Sequence, residues 1–378
     1  MPGAGDAVDF AGATVNASVT ADIDAAFGAV TMGSGVITFS GSLTASSFSD
    51  TSKIAVGANS TVTLDGDLVL ASSVVYSVAS GGKFVVTGVL TPCSWAFPQV
   101  APGDGTIVVG GIVDTADGTI IASHETHAQK WAIGPQGITG TAGTRLWVYS
   151  NAGAAPEFRP WTNDFTISVG SVVRTNARSF TINTTGLDGA GHTITLDAGF
   201  ADNGDPLNVT GTGKVVVNHV TAVIGDKSAY SGAVEVKDSA TLAINAGKTL
   251  TSGAMTVESG AALEVAESGE VALGGGLELK DGATLKFNFT DRRTAPKLVL
   301  SQTPTFGGVK VDIAGVRPRW EKNAIIEWPE GTVWPEGFDI GSVFTLADNQ
   351  PKWVTGIAVE GNSLILTSKP AGMMIIFR

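Results

Sequence analysis

The chain has one cysteine, Cys93, in 378 residues, so no disulfide can close within it. Charged residues are also scarce, at 15%, and acids outnumber bases to give a formal charge of −12. That balance disfavours nucleic acid, whose phosphates it would repel. No stretch reaches the 18 or more consecutive apolar residues of a membrane-crossing helix, so no membrane span is expected. The opening "MPGAGDAVDF" has neither a basic start nor an apolar run, and no signal sequence is read in it. Strong helix formers are sparse.

What is present is the vocabulary of strands and tight turns. Glycine contributes 49 residues and apolar residues 43%, with Val, Thr, Ile, Ser and Ala prominent. From Lys237 to Phe287 one phrase recurs three times, as "KDSATLAI", "VESGAALEV" and "LKDGATLKF". Its leucines, Leu242, Leu263 and Leu285, stand 21 and then 22 residues apart. Leu250 is answered by Val271, and "VGANSTVTL" by "VASGGKFVV" 22 residues later. A fixed period near 22, built from short alternating strands and small-residue corners, marks a solenoid. One coil cannot bury its inward face alone, so each strand is expected to pair in parallel with its equivalent one coil on, about 4.8 Å away.

The expected fold is therefore all-β: a right-handed parallel β-helix with coils of about 22 residues and a C-terminal cap. Its hand follows the general preference of parallel crossovers. Residues 1–91 read as N-terminal coils and 165–290 as regular repeats. Residues 92–164 collect Pro, Gly and Trp and read as a loop-rich aromatic interruption, with a short helix around "SHETHAQKW". Residues 291–378 read as the cap, with Trp320, Trp328, Trp334 and Trp353 covering the open end.

Two phrases resemble a known family. "PGAGDAVDF" with "ATVNASVTADI" is similar to the opening of bacterial surface β-helix proteins. Residues 211–247 resemble the autotransporter-associated β-strand repeat through Gly211, Gly213, Tyr230, Ser231, Gly232 and the triplet Ala240-Thr241-Leu242, where Ala replaces the usual Gly. The resemblance implies an exported surface passenger with a structural or adhesive role and no catalytic residues. The translocating barrel of that family, about a dozen tilted strands, is not read here.

Several residue sets carry candidate chemistry. Trp131, Trp147, Tyr149 and Trp161, with Arg145 and Arg159, could form a platform on which sugar rings stack; equally they could fasten loops to the solenoid flank. His124 and His127 in "HETH" would share a helical face, but zinc takes three or four protein ligands and no third stands at a supporting spacing. Neither a metal nor a cofactor is expected. Asp65 and Asp67 read as a tight Asp-Gly turn rather than as a catalytic pair. A cleaving enzyme would need clustered carboxylates on one face. The final "GMMIIFR" could add Met373, Met374, Ile375, Ile376 and Phe377 to a neighbouring molecule's sheet edge and so build a filament. The expectation is a non-catalytic structural or adhesive β-solenoid at a bacterial surface. Its partners would be a glycan or another cell's surface. A carbohydrate-binding or polysaccharide-cleaving β-helix and a filament subunit are the alternatives.

Overall fold

In the computed structural model the described residues are 4–20, 24–70, 75–92, 99–100, 105–121, 130–149, 156–175, 181–201, 208–224, 232–250 and 253–369. They fall into two compact units, Met1–Asp205 and Pro206–Arg378. Each is a parallel β-solenoid.

In the first unit one broad sheet is built coil by coil from Ala25–Thr31, Ser42–Phe48, Thr61–Leu64, Lys83–Thr91, Thr106–Val113, Lys130–Thr139 and Glu157–Pro160. Each pairs in parallel with the next. Lys83 pairs with Thr61 and Thr106, offsets of 22 and 23; Thr106 meets Lys130 at 24 and Lys130 meets Glu157 at 27. Smaller sheets flank it, including Thr119–Ile121, Arg145–Tyr149 and Ser171–Thr175. Strands of the same solenoid thus run through residues 92–164. That stretch lengthens its coils and does not interrupt the sheet. Two of the extra residues enter within Lys130–Thr139 itself, where the register to Thr106–Val113 shifts between Val109 and Gly111. The proposed helix around "SHETHAQKW" lies largely in residues 122–129, outside the described residues, and Lys130 and Trp131 at its end belong to a strand.

Because successive side chains alternate faces, every second residue of a strand enters the core. Val62, Phe84, Ile107, Trp131, Phe158 and Ile182 form one inward row, each in register with the next. All six are buried. The corner of this sheet is a glycine column. A Cβ on Gly110 would stand 2.5 Å from the Thr87 carbonyl oxygen and 2.7 Å from that of Gly88, and one on Gly134 would stand 2.6 Å from the Gly110 oxygen. Coils approach there too closely for any side chain.

The second unit repeats a three-stranded coil. Thr241–Ile244, Ala262–Val265, Thr284–Phe289 and Val309–Gly315 stack in parallel, and Leu242, Leu263, Leu285 and Val311 pair in one row. Each is at most 1% exposed. The three repeated leucines therefore stack as the period predicts. The partner expected for Leu250 is wrong by one step: Leu250 pairs with Leu273, and Val271 pairs with Lys248. The turn after Val265 is two residues longer than the turn after Ile244, and a shift of two preserves which face points inward. On the outside, the Lys297 ammonium lies 3.2 Å from Glu270 and 3.0 Å from Glu327. Burial alone would lower its pKa, but hydrogen bonds that it donates to Glu327 and Glu270 outweigh that and raise it.

Solenoid strands continue past residue 291, through Pro296–Leu300, Thr305–Phe306 and Lys322–Glu327. In the sheet of Pro296–Leu300 parallel pairing ends at Lys322–Glu327, while Phe344–Leu346 still pairs in parallel with Val309–Gly315. Ser363–Ser368 joins Lys322–Glu327 antiparallel, and Val354–Glu360 completes the hairpin. Trp328 and Trp334 pack with Phe306, Phe338 and Phe344, and Trp353 meets the Phe289 ring edge-on. Trp320 does not join this cap and is 56% exposed. Residues 370–378, with Met373, Met374, Ile375, Ile376 and Phe377, lie outside the described residues.

Candidate functional site

The candidate platform residues lie on two sheets and on both faces of one of them. Trp131 is 1% exposed, inside the first unit's core, because it follows the inward parity of Ile133 while Lys130 is only half-buried toward the outside. Trp161 lies on the other face of the same sheet. It covers an outward apolar row of Val85, Val108 and Ala132, together with Leu187. Trp147 is half-buried on the adjoining sheet beside exposed Arg145; Tyr149 ends that strand, and its side chain is outside the description. The Arg159 guanidinium is held by Glu157, whose carboxylate also accepts from Asn183 Nδ2 at 3.1 Å. Trp131 and Trp161 therefore serve packing, and Arg159 is engaged by Glu157.

The two histidines of "HETH" lie outside the described residues, as does Cys93. Among the described residues no three His, Cys, Asp or Glu side chains are grouped to hold a metal, and no helix is long and apolar enough to cross a membrane. His192 stands between two carboxylates, with Nε2 3.1 Å from Asp188 and Nδ1 3.6 Å from Asp164. The backbone N–H of Ala190, followed by the His192 ring, lowers the Asp188 pKa against a desolvation that would raise it. Asp164 also accepts from the Thr193 N–H at 2.8 Å, so the trio pins one turn to the next. Asp65 and Asp67 behave as turn residues. Asp65 accepts from the Thr87 hydroxyl at 3.0 Å and Asp67 from the Val89 N–H at 2.7 Å, both one coil later.

Sequence reasoning missed a charged cleft on the second unit. It has a volume of about 310 Å³, and Lys214, Glu235, Glu258, Glu278, Lys280 and Thr256 supply its polar lining. The strands Ala233–Lys237, Met255–Val257 and Leu277–Leu279 place it, because Glu235, Thr256 and Glu278 are consecutive outward residues in register. Glu235 and Glu278 are thus two coils apart, about 9.6 Å at the usual strand spacing. Lys214 pairs with Glu235 and Lys280 with Glu278. The hydrogen bond that Lys280 donates to Glu278, with the nearby Glu258 charge, raises the Lys280 pKa. The signal was available: the period that aligns the leucines also aligns Lys237, Glu258 and Lys280 at steps of 21 and 22.

Comparison with known proteins finds no matching family model, no matching curated protein and no matching solved structure.

Proposed function

We propose that this chain is a non-catalytic extracellular β-solenoid that works as a structural or adhesive element at a bacterial cell surface. The observation that carries the reading is the register itself. Coil after coil joins its neighbour through parallel pairs over a continuous apolar row, giving a rigid scaffold whose outer face is free to vary. The resemblance of residues 211–247 to autotransporter-associated repeats supports the same role. So does the pairing of carboxylates in the charged cleft with lysines: Lys214 and Glu235 tie one coil to the next, and Lys280 engages Glu278 within its own coil.

The test is adhesion. Beads coated with the purified chain should retain bacterial or host cells above uncoated beads, while a polysaccharide panel gains no new reducing ends. Equal retention by coated and uncoated beads would remove the adhesive reading.

The cleft favours a second reading, polysaccharide cleavage, because Glu235, Glu258 and Glu278 gather on one face. The strands of Glu235 and Glu278 are about 9.6 Å apart, and a lean of the two side chains toward each other would bring the carboxyl groups into the roughly 6.5–9.5 Å used by inverting glycosidases. Reducing ends that appear with the wild type and vanish with both Glu235→Gln and Glu278→Gln would replace the first reading with this one.

A further inference from the structure

Four of the chain's nine arginines fall within 28 residues, in "DRRT" and "RPRW". In the second unit the coils bring these phrases together. Phe289 and Gly315 are in register, and the turns that follow stack directly: the Val316 N–H donates to the Phe289 carbonyl at 2.7 Å and the Arg319 N–H to that of Arg292 at 2.6 Å. The lower turn is fastened to the preceding coil, since Ser268 Oγ accepts from the N–H groups of Thr290 and Asp291 at 3.0 and 2.9 Å. Arg292, Arg293, Arg317 and Arg319 thus share one corner of a chain whose net charge is −12.

None of the four has a carboxylate partner among the described residues. The acids of these turns and their neighbouring strands are otherwise engaged or turned outward, Asp312 accepting from Gln350 Nε2 at 3.4 Å. Asp291 accepts from the Arg293 backbone N–H, Glu360 is taken by Lys322, and Glu321 is exposed. Arg317 is the strongest sign of a missing partner: its Nε and Nη2 are enclosed and meet no acceptor. Leaving charged donors buried and unmatched is costly, and an incoming anion would relieve that cost.

A second feature stands beside it. Trp320 is 56% exposed on a backbone that cannot drift. Its carbonyl accepts from Asn323 Nδ2 at 2.9 Å and Ser368 Oγ at 3.0 Å, and both of those residues are buried. The Arg319 guanidinium lies 5.1 Å from the Trp320 ring centroid. An exposed indole beside guanidinium groups that have no carboxylate partner matches one ligand chemistry: a sugar ring whose C–H face packs on the indole and whose anionic group takes the arginine fork.

We propose that the corner formed by Arg292, Arg293, Arg317, Arg319 and Trp320 binds an acidic sugar of a glycan through its carboxylate or sulfate. This rests on the reading of the chain as a surface-binding solenoid and names where and what it binds. A long, densely charged polyanion fits less well, because the acidic remainder of the chain would repel what extends beyond the corner.

The experiment is calorimetric titration of the full chain with six probes: an oligogalacturonate, a sulfated galactan oligosaccharide that carries no carboxylate, a neutral maltohexaose, inorganic sulfate, a DNA duplex and anionic vesicles. At least one acidic oligosaccharide should bind, weaken as salt rises, and exceed the neutral probe by tenfold or more. Preference between the two acidic probes assigns carboxylate or sulfate. Arg317→Gln and Trp320→Ala should each weaken binding about tenfold or more. Arg292→Gln and Arg293→Gln, at exposed positions, give the same reading should Arg317→Gln fail to fold.

Acidic and neutral probes binding alike would overturn the proposal. So would sulfate binding as tightly as the sugars with no effect of Trp320→Ala, which would mean an adventitious ion only. Stronger binding to a DNA duplex or to anionic vesicles would overturn it as well. Acidic glycan binding untouched by every arginine variant would refute this corner and leave the surface-binding reading standing. Cells that fail to adhere to coated beads would refute that reading by a separate measurement.

Discussion

Replacing Trp131 with alanine separates a core residue from a display residue. The indole is 1% exposed and sits in its inward row between Ile107 and Phe158, both fully buried. An aromatic side chain buries about 150–250 Å², which at about 25 cal/mol/Å² corresponds to roughly 4–6 kcal/mol of transfer free energy. Alanine retains part of that and neighbours relax only partly, so the expected loss is about 3–5 kcal/mol. For a unit of this size each kcal/mol moves the melting temperature by about 2–4 °C, giving a fall of roughly 6–20 °C. In a solenoid the damage is carried by nearest neighbours, so a transition assigned to residues 206–378 should stay in place. The assay is differential scanning calorimetry of wild type, Trp131→Ala and Trp161→Ala. Trp161 is only half-buried on the outer face, so its variant should shift less. A Trp131→Ala protein melting within about 2 °C of wild type would refute the inward placement.

Three further outcomes follow from other parts of the fold. Gly110→Ala places a methyl 2.5 Å from the Thr87 carbonyl oxygen, so it should lower stability by about 1–3 kcal/mol in urea unfolding, whereas Gly189→Ala meets no neighbour and is strained only by its φ of 81°. Trp328→Ala empties the buried centre of the cap, where Trp328 is 3% exposed, and should cost about 3–5 kcal/mol; light scattering should also show association as the sheet end opens. Lys297→Met should cost about 0.5–1 kcal/mol at pH 7, since a partly exposed pair network is worth little more. The Lys297 pKa is raised on folding, so its contribution is complete below about 10.5 and disappears as pH climbs through the higher folded value. The variant and wild type should therefore converge in stability above that range, and a gap that persists there would refute the charge explanation.

The leucine phrase made the fold legible, because an apolar row repeated at 21 and 22 residues has one economical explanation, and Leu242, Leu263 and Leu285 do pair. Coil length was less legible. Turns absorb extra residues in steps that leave strand parity intact, which is why Leu250 meets Leu273 rather than Val271. Aromatic residues in 92–164 looked alike in composition, yet parity sends Trp131 inward and leaves Trp161 outside; reading Lys130-Trp131-Ala132-Ile133 as a strand would have shown it. Charged residues repeat at the same period as the leucines, but Lys237, Glu258 and Lys280 carry the signal only once the strands are aligned. The arginine corner was hidden for a different reason. Its two halves are 24–27 residues apart and meet only because one coil lies on the next.

The parallel register is the claim on which everything else stands, and oxidative cross-linking tests it directly. In a Cys93→Ser background, Glu264→Cys paired with Lys286→Cys puts two outward thiols on consecutive strands in register, with Cα atoms about 4.8 Å apart. Pairing Glu264→Cys instead with Asn288→Cys moves the second Cα to about 8 Å, beyond disulfide reach. The account predicts rapid intramolecular disulfide formation for 264/286 and little for 264/288. Equal or reversed yields would contradict the register, and with it the β-solenoid.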